Sequence, residues 1–311
     1  MAPQFARKSY THPDWAACGS AAKQREVLMT GDEENVRIDL PTLIAVSILA
    51  WALVDILHEI VGHAGAAVWL GFPVRAVSTT TAYIDVDWSR IIESQGFGPI
   101  RFYVAAGTVV NIISGALALC ALRCYKGPSA ARYFLWLFAT FSAVIVTMNL
   151  VSAPLMGFGD WSDFLNGVEP RDVWKAGIIG SGLVLAGVGY ALPLRLWMPR
   201  LSGRRRVLLS VTVIPVAIVL LVQTLSLVKS PFAALPPERN HLLGSVFAYI
   251  HFVMWAILVN VCPVPRARAE VGTIALPRSR FWLVLGSIAL VVFALVLGPG
   301  LGSFAGDPRL R

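Results

Sequence analysis

Charge is what this sequence has least of. Asp, Glu, Lys and Arg make up 14% of its 311 residues, against 56% hydrophobic residues, where a soluble domain carries about 25% charged residues. With a mean hydropathy of +0.67, that scarcity excludes disorder, a fibre and a solvated globule. Cysteine is scarce too. Cys18, Cys120, Cys124 and Cys262 form no C-x-x-C pair, and the two thiols at Cys120 and Cys124 do not make a four-ligand structural zinc site. The five His fall short of the roughly eight that the histidine boxes of a di-iron desaturase need. No apolar signal-peptide core precedes residue 38, so the first spanning segment is expected to act as its own insertion signal.

What is present is a series of apolar runs of about 20 residues, each long enough to cross roughly 30 Å of hydrocarbon. They are Leu43–Leu70, Phe102–Leu122, Tyr133–Leu155, Val173–Leu192, Val207–Val228, Leu243–Val261 and Phe281–Leu301. The fold class expected is therefore an all-α polytopic membrane protein of about seven transmembrane helices. The first run, 28 residues long, would measure about 42 Å as a helix, so it must tilt or project from the bilayer. Between the first two runs, Val74–Trp88 is rich in β-branched and aromatic residues, and Tyr83–Trp88 alternates apolar with acidic positions, which points to a small external strand or hairpin. Basic residues concentrate in the N-terminal tail and in the second, fourth and sixth connections, as at Arg123, Lys126, Arg204, Arg205, Arg206 and Arg266. Positive charge stays inside, so the N-terminus is expected in the cytoplasm and the C-terminus outside, most simply in the cell membrane. Spread over loops rather than along one stripe, the net charge of +8 needs no nucleic-acid partner. The organisation expected is a cytoplasmic tail over 1–38, a three-helix portion with the strand loop over 39–172, and a four-helix bundle over 173–311.

Chemistry concentrates in the first span. Ionisable groups in a membrane helix are expensive and suggest function, and this run holds Asp55, His58, Glu59 and His63 in D-I-L-H-E-I-V-G-H. The pattern is close to H-E-x-x-H, in which two His one turn apart bind zinc and the Glu acts as general base. Here the second His is at i+5, about 140° from the first on an ideal α-helix rather than about 40°. Two arrangements are open. A π-bulge between Leu57 and Ala64 would return His63 to the face of His58, with Gly62 easing the distortion. A straight helix would instead present Asp55, Glu59 and His63 together. A polar network pinning helices without metal is the non-catalytic counterpart. His241 and His251, ten apart, are separated by about 15 Å along a helix, too far for one metal.

Over roughly residues 43–167 the chain resembles the site-2 protease family of intramembrane zinc metalloproteases. H-E-I-V-G-H (His58–His63), followed by A-G-A-A-V-W-L-G, is similar to that family's H-E-x-x-H and small residues. A-A-G-T-V-V-N (Ala105–Asn111) looks like its G-P-x-x-N with Thr108 in place of Pro. N-L-V-S-A-P-L-M-G-F-G-D (Asn149–Asp160) is similar to its N-x-x-P-x-x-P-L-D-G, with Asn and Asp 11 apart rather than 8 and Trp161 after the Asp. The resemblance implies a Zn2+ ion held by His58, His63 and Asp160, with Asp163 and Asp55 as rivals for the third place. It also implies Glu59 as the base, Asn111 orienting or stabilising an oxyanion, and Val74–Trp88 pairing with an unwound substrate strand. The function expected is zinc-dependent hydrolysis of peptide bonds in membrane proteins or peptides within the lipid bilayer. A ceramidase-like zinc lipid amidase and a non-enzymatic scaffold or transporter with a polar core are the alternatives.

Overall fold

A computed structural model describes residues 37–126, 129–197, 205–231, 242–261 and 275–304. The tail through residue 36, the basic loops 198–204 and 262–274, His241, Cys18 and Cys262 lie outside the described residues. Arg37–Arg311 form one compact unit. Its helices are α1 (Leu40–Trp69), the short α2 (Trp88–Gln95), α3 (Gly98–Cys124), α4 (Ala130–Met156), the short α5 (Asp160–Phe164), α6 (Arg171–Leu194), α7 (Arg206–Lys229), α8 (Leu242–Val261) and α9 (Arg280–Leu297). Six of these, all but α2, α5 and α8, are long and apolar enough to cross a membrane, and α8 contains a shorter apolar run, Ala248–Val261. The protein is thus an all-α polytopic membrane protein.

Local chemistry sets where these helices begin. Asp39 caps α1: its carboxylate accepts from the Thr42 amide at 2.9 Å and the Thr42 hydroxyl at 2.7 Å, satisfying donors that the first turn leaves open. That Thr42 hydroxyl contact holds the Asp39 carboxyl below the ordinary carboxylate range. Pro41 and Pro99 occupy first-turn positions of α1 and α3, where the missing N–H costs nothing.

Short strands fix the topology. β1 (Arg37–Ile38) precedes α1, β4 (Ala275–Leu276) precedes α9, and the two pair in parallel. The Asp39 amide continues this ladder to the Leu276 carbonyl at 2.8 Å. The starts of the first and last helices therefore lie at one end of the bundle. At the opposite end β2 (Val74–Val77) and β3 (Ala82–Ile84) form the hairpin anticipated within Val74–Trp88, and β5 (Leu301–Gly302), after α9, pairs antiparallel with β2. Between the end of α1 and the start of α9 the chain must cross an odd number of times. Helices α3, α4, α6, α7 and α8 meet that requirement only if α8 crosses as well.

The core joins both membrane portions. Trp51 of α1 packs edge-on against Phe141 of α4, Phe252 of α8 and Phe293 of α9, with ring centroids 6.4, 5.3 and 6.4 Å apart. Its indole N–H donates to Gln223 of α7 at 3.2 Å, as a buried Trp requires. Helices from 39–172 and from 173–311 thus enclose α1 in one core.

The strand pairings make a sidedness prediction. With the four native cysteines replaced by serine, Ser89→Cys at the hairpin end and Lys126→Cys at the other should react with an impermeant maleimide from opposite faces of the membrane. Reaction of both from one face would contradict the topology.

Candidate metal centre

The site begins with a register change. Leu57–Ala64 of α1 form a π-helical turn, which adds one residue to the turn and returns the i+5 residue to the face of His58. The imidazoles of His58 and His63 stand edge to face with centroids 4.8 Å apart, and their Nε2 atoms are 3.2 Å apart. The straight-helix arrangement of Asp55, Glu59 and His63 is not the one adopted. Asp160, the first residue of α5, comes in from the sheet end of the bundle, after Gly157 and Gly159, whose φ angles of +78° and +84° favour glycine. Its Oδ2 lies 3.3 Å from His58 Nε2 and 3.2 Å from His63 Nε2. Among the described residues, His58, His63 and Asp160 are the group of His, Cys, Asp and Glu whose ligand atoms converge enough to hold a metal ion.

The spacing of those atoms suits a tetrahedral ion. Zinc with bonds of about 2.0–2.1 Å sets neighbouring donors about 3.3–3.4 Å apart, close to the observed 3.2, 3.2 and 3.3 Å. Two nitrogens and one carboxylate oxygen match the donor chemistry of zinc and other transition ions better than the all-oxygen shells of calcium or magnesium. Three protein donors leave one position of a tetrahedron open, as in catalytic sites. The Asp160 side chain retains 27% exposure, against 10% and 6% for His58 and His63. Glu59 is buried, lies within electrostatic reach of His63 and is not part of the converging group, as a base rather than a ligand would be.

Helix α3 builds the back wall. His63 Nδ1 donates to the Tyr103 carbonyl at 2.9 Å, and His58 Nδ1 faces the Asn111 amide at 3.2 Å. This contact needs the two backbones to touch. A Cβ on Gly62 would sit 2.5 Å from Gly107 Cα, and a Cβ on Gly107 would sit 2.6 Å from His63 Nε2 and 2.7 Å from His58 Nε2. Gly62 therefore serves the helix crossing, beyond the relief of the bulge expected of it, and Gly107 supplies the space that the imidazoles fill. Thr108 and Trp161 secure the third donor: the Trp161 indole N–H donates to the Thr108 hydroxyl at 2.9 Å, tying α5 to α3 next to Asp160. Arg101 donates to the carbonyls of Phe164, Asn166 and Gly167 at 3.3, 3.1 and 3.0 Å, closing the far end of α5.

Electrostatics separates the two aspartates of α5. Burial pushes the Asp160 carboxyl up, but attraction to His63 and hydrogen bonds from both rings outweigh it and hold it well below the ordinary carboxylate range. Burial and the neighbouring Asp160 charge push Asp163 up. Asp160 is thus the anionic partner, and Asp163 stands outside the converging group. Asp55 is outside it too, with Oδ2 buried and without a hydrogen-bond partner. Asn149 donates to Ile145 of its own helix at 3.3 Å, and His251 pairs with the Ser152 hydroxyl at 3.0 Å; neither belongs to the centre. The roles of Tyr103, Gly107, Thr108, Trp161 and Arg101 at this site are not legible from pattern, because each acts through a contact between elements that sequence spacing does not encode. The β3 edge is closed at Ala82, whose carbonyl accepts from the Tyr103 hydroxyl at 2.7 Å, so the strand-pairing edge expected within Val74–Trp88 is partly covered.

No family model, characterised protein or solved structure matches this chain.

Two variants probe the wall. Gly107→Ala should lower metal affinity at least about 10- to 100-fold, the range that displacing a ligand's support produces; unchanged affinity in a zinc titration would mean the rings are not seated against α3. Thr108→Val and Trp161→Phe should each weaken metal binding, and the double variant should be no weaker than the worse single one, since one hydrogen bond links them. Additive losses in that cycle would show that the contact does not couple α3 to Asp160.

Proposed function

We propose that this protein is a zinc-dependent intramembrane hydrolase that cleaves peptide bonds in membrane-embedded proteins or peptides, as a divergent relative of the site-2 proteases. The observation that carries the reading is the near-equilateral arrangement of His58 Nε2, His63 Nε2 and Asp160 Oδ2, at 3.2, 3.2 and 3.3 Å, beside a buried Glu59. A network that only pins helices has no need to point three donors at one spot. The His-Glu unit sets a base beside a ligand, and an Asp from a second helix completes three donors with one position left open, the arrangement that metal-assisted hydrolysis uses.

Zinc bound there would supply Lewis acidity toward water and the scissile carbonyl. The chain's own groups do the rest. Glu59, next in sequence to one ligand, takes the proton of the attacking water and returns it to the leaving amine. Asp160 stays anionic and offsets the charge of the cation. The π-turn fixes both imidazoles against α3, so little reorganisation accompanies the reaction. The site lies where α1 approaches the sheet end of the bundle, with Asp160 partly exposed, so water can reach it while the substrate remains in lipid. The loop charges support an orientation with this end outside the cell and the N-terminus in the cytoplasm.

Reconstitution with a fluorogenic single-span peptide tests the reading. Wild-type protein should cleave it, a chelator should stop cleavage and zinc restore it. Glu59→Gln should retain zinc and lose about 10²- to 10⁴-fold in rate, the range a general base contributes. Cleavage by Glu59→Gln at the wild-type rate, or turnover of an amide-linked lipid in place of the peptide, would refute the assignment.

A further inference from the structure

We propose that Asn111 is a positioning residue that selects which nitrogen of His58 carries the proton, and that its amide turns end for end as the centre takes up its cation. The inference rests on the metal reading above and reassigns a residue whose sequence pattern suggested contact with an oxyanion.

A neutral imidazole carries one N–H, and a ring that gives its Nε2 lone pair to a cation must hold that proton on Nδ1. His63 has no choice. Its Nδ1 faces the Tyr103 carbonyl at 2.9 Å, an oxygen that can only accept, so Nδ1 carries a proton whether or not a cation is bound. His58 differs because its Nδ1 faces a side-chain amide, which has a donor end and an acceptor end of nearly the same shape. With Nδ2 toward the ring, 3.2 Å from Nδ1, the amide donates. The His58 proton then sits on Nε2, which meets Asp160 Oδ2 at 3.3 Å. That is a complete arrangement for a cation-free centre, and in it Asn111 Oδ1 is buried with no hydrogen-bond partner.

A bound cation reverses the requirement. Nε2 must lose its proton, Nδ1 must gain it, and the amide must present Oδ1 to accept it. A half-turn about the Asn111 Cβ–Cγ bond exchanges Oδ1 and Nδ2 and achieves this without moving either helix. Asn111 is fully buried, at 0% exposure, and its contact is with the side of His58 opposite the converging donors. It therefore acts through His58 and not on a substrate. An aspartate here would serve only the cation-bound tautomer; a leucine of similar volume would serve neither.

Full-length protein in detergent micelles, selectively ¹⁵N-labelled at histidine, reads the tautomer directly. Without metal, His58 should show its proton on Nε2; with one equivalent of zinc, on Nδ1; His63 should hold Nδ1–H throughout. Asn111→Leu should lower zinc affinity about 10- to 100-fold, and the zinc concentration needed for half-maximal cleavage should rise by the same factor. Asn111→Asp should restore affinity and hold His58 in the Nδ1–H form even without metal. An oxyanion role predicts the reverse: unchanged zinc affinity with a rate lost in both variants at saturating zinc. That result, or a His58 proton on the same nitrogen with and without zinc, overturns this inference and leaves the metal centre standing. Wild-type protein that takes up no cation overturns both.

Discussion

The close approach of two backbones governs this structure. Where α1 crosses α3, Gly62 and Gly107 meet with no room for a Cβ on either side. In a membrane, helices associate through such contacts rather than through the hydrophobic effect. The approach does more than hold two helices together. It brings the Tyr103 carbonyl and the Asn111 amide to the backs of two imidazoles, and leaves at Gly107 the space in which those rings lie. The π-turn over Leu57–Ala64 is the second half of the same device. It widens the regular ladder of α1 by one residue, and the packed face of α3 seats the two side chains that this turn aligns.

Placement in depth follows from the cost of charge. Ionisable groups at the centre of a bilayer cost several kcal/mol each. Here the middle of the bundle is given to Trp51, Phe141, Phe252 and Phe293. The donors collect toward the end marked by the three-stranded sheet, and the anionic one enters on a short helix beyond the span. Asp160 can therefore be carried on this short helix, braced by Trp161 to Thr108 and by Arg101 to the carbonyls at the end of α5. The helices divide the work: α1, α3 and α5 make the centre, while α4, α7, α8 and α9 complete the core around α1.

How much of this is legible in the sequence depends on whether the signal is local. His-Glu with a His at i+5 is local, and the angular arithmetic of a helix narrows it to a π-turn or a straight helix presenting Asp55, Glu59 and His63, between which the packing against α3 decides. The apolar runs and the β-branched stretch after the first are local too, and both became the elements they suggest. The choice of Asp160 over Asp163 or Asp55 is not local: it depends on the path of the chain through Gly157 and Gly159. Thr108 and Trp161 are two of the positions at which the motifs depart from the site-2 protease pattern. In three dimensions they form one hydrogen bond, so the departures are paired, which a one-dimensional comparison reads only as two separate losses. β5 is two residues long and carries no periodicity; its strand character comes entirely from meeting β2.

The central claim is that His58, His63 and Asp160 hold one cation, and X-ray absorption at the zinc edge of full-length protein loaded with one equivalent of zinc tests it most directly. The account predicts a first shell of nitrogen and oxygen donors at about 2.0–2.1 Å, with the outer-shell scattering of two imidazole rings and no sulfur. A shell containing sulfur at about 2.3 Å, or one of oxygens without imidazole scattering, would place the metal elsewhere and contradict the account.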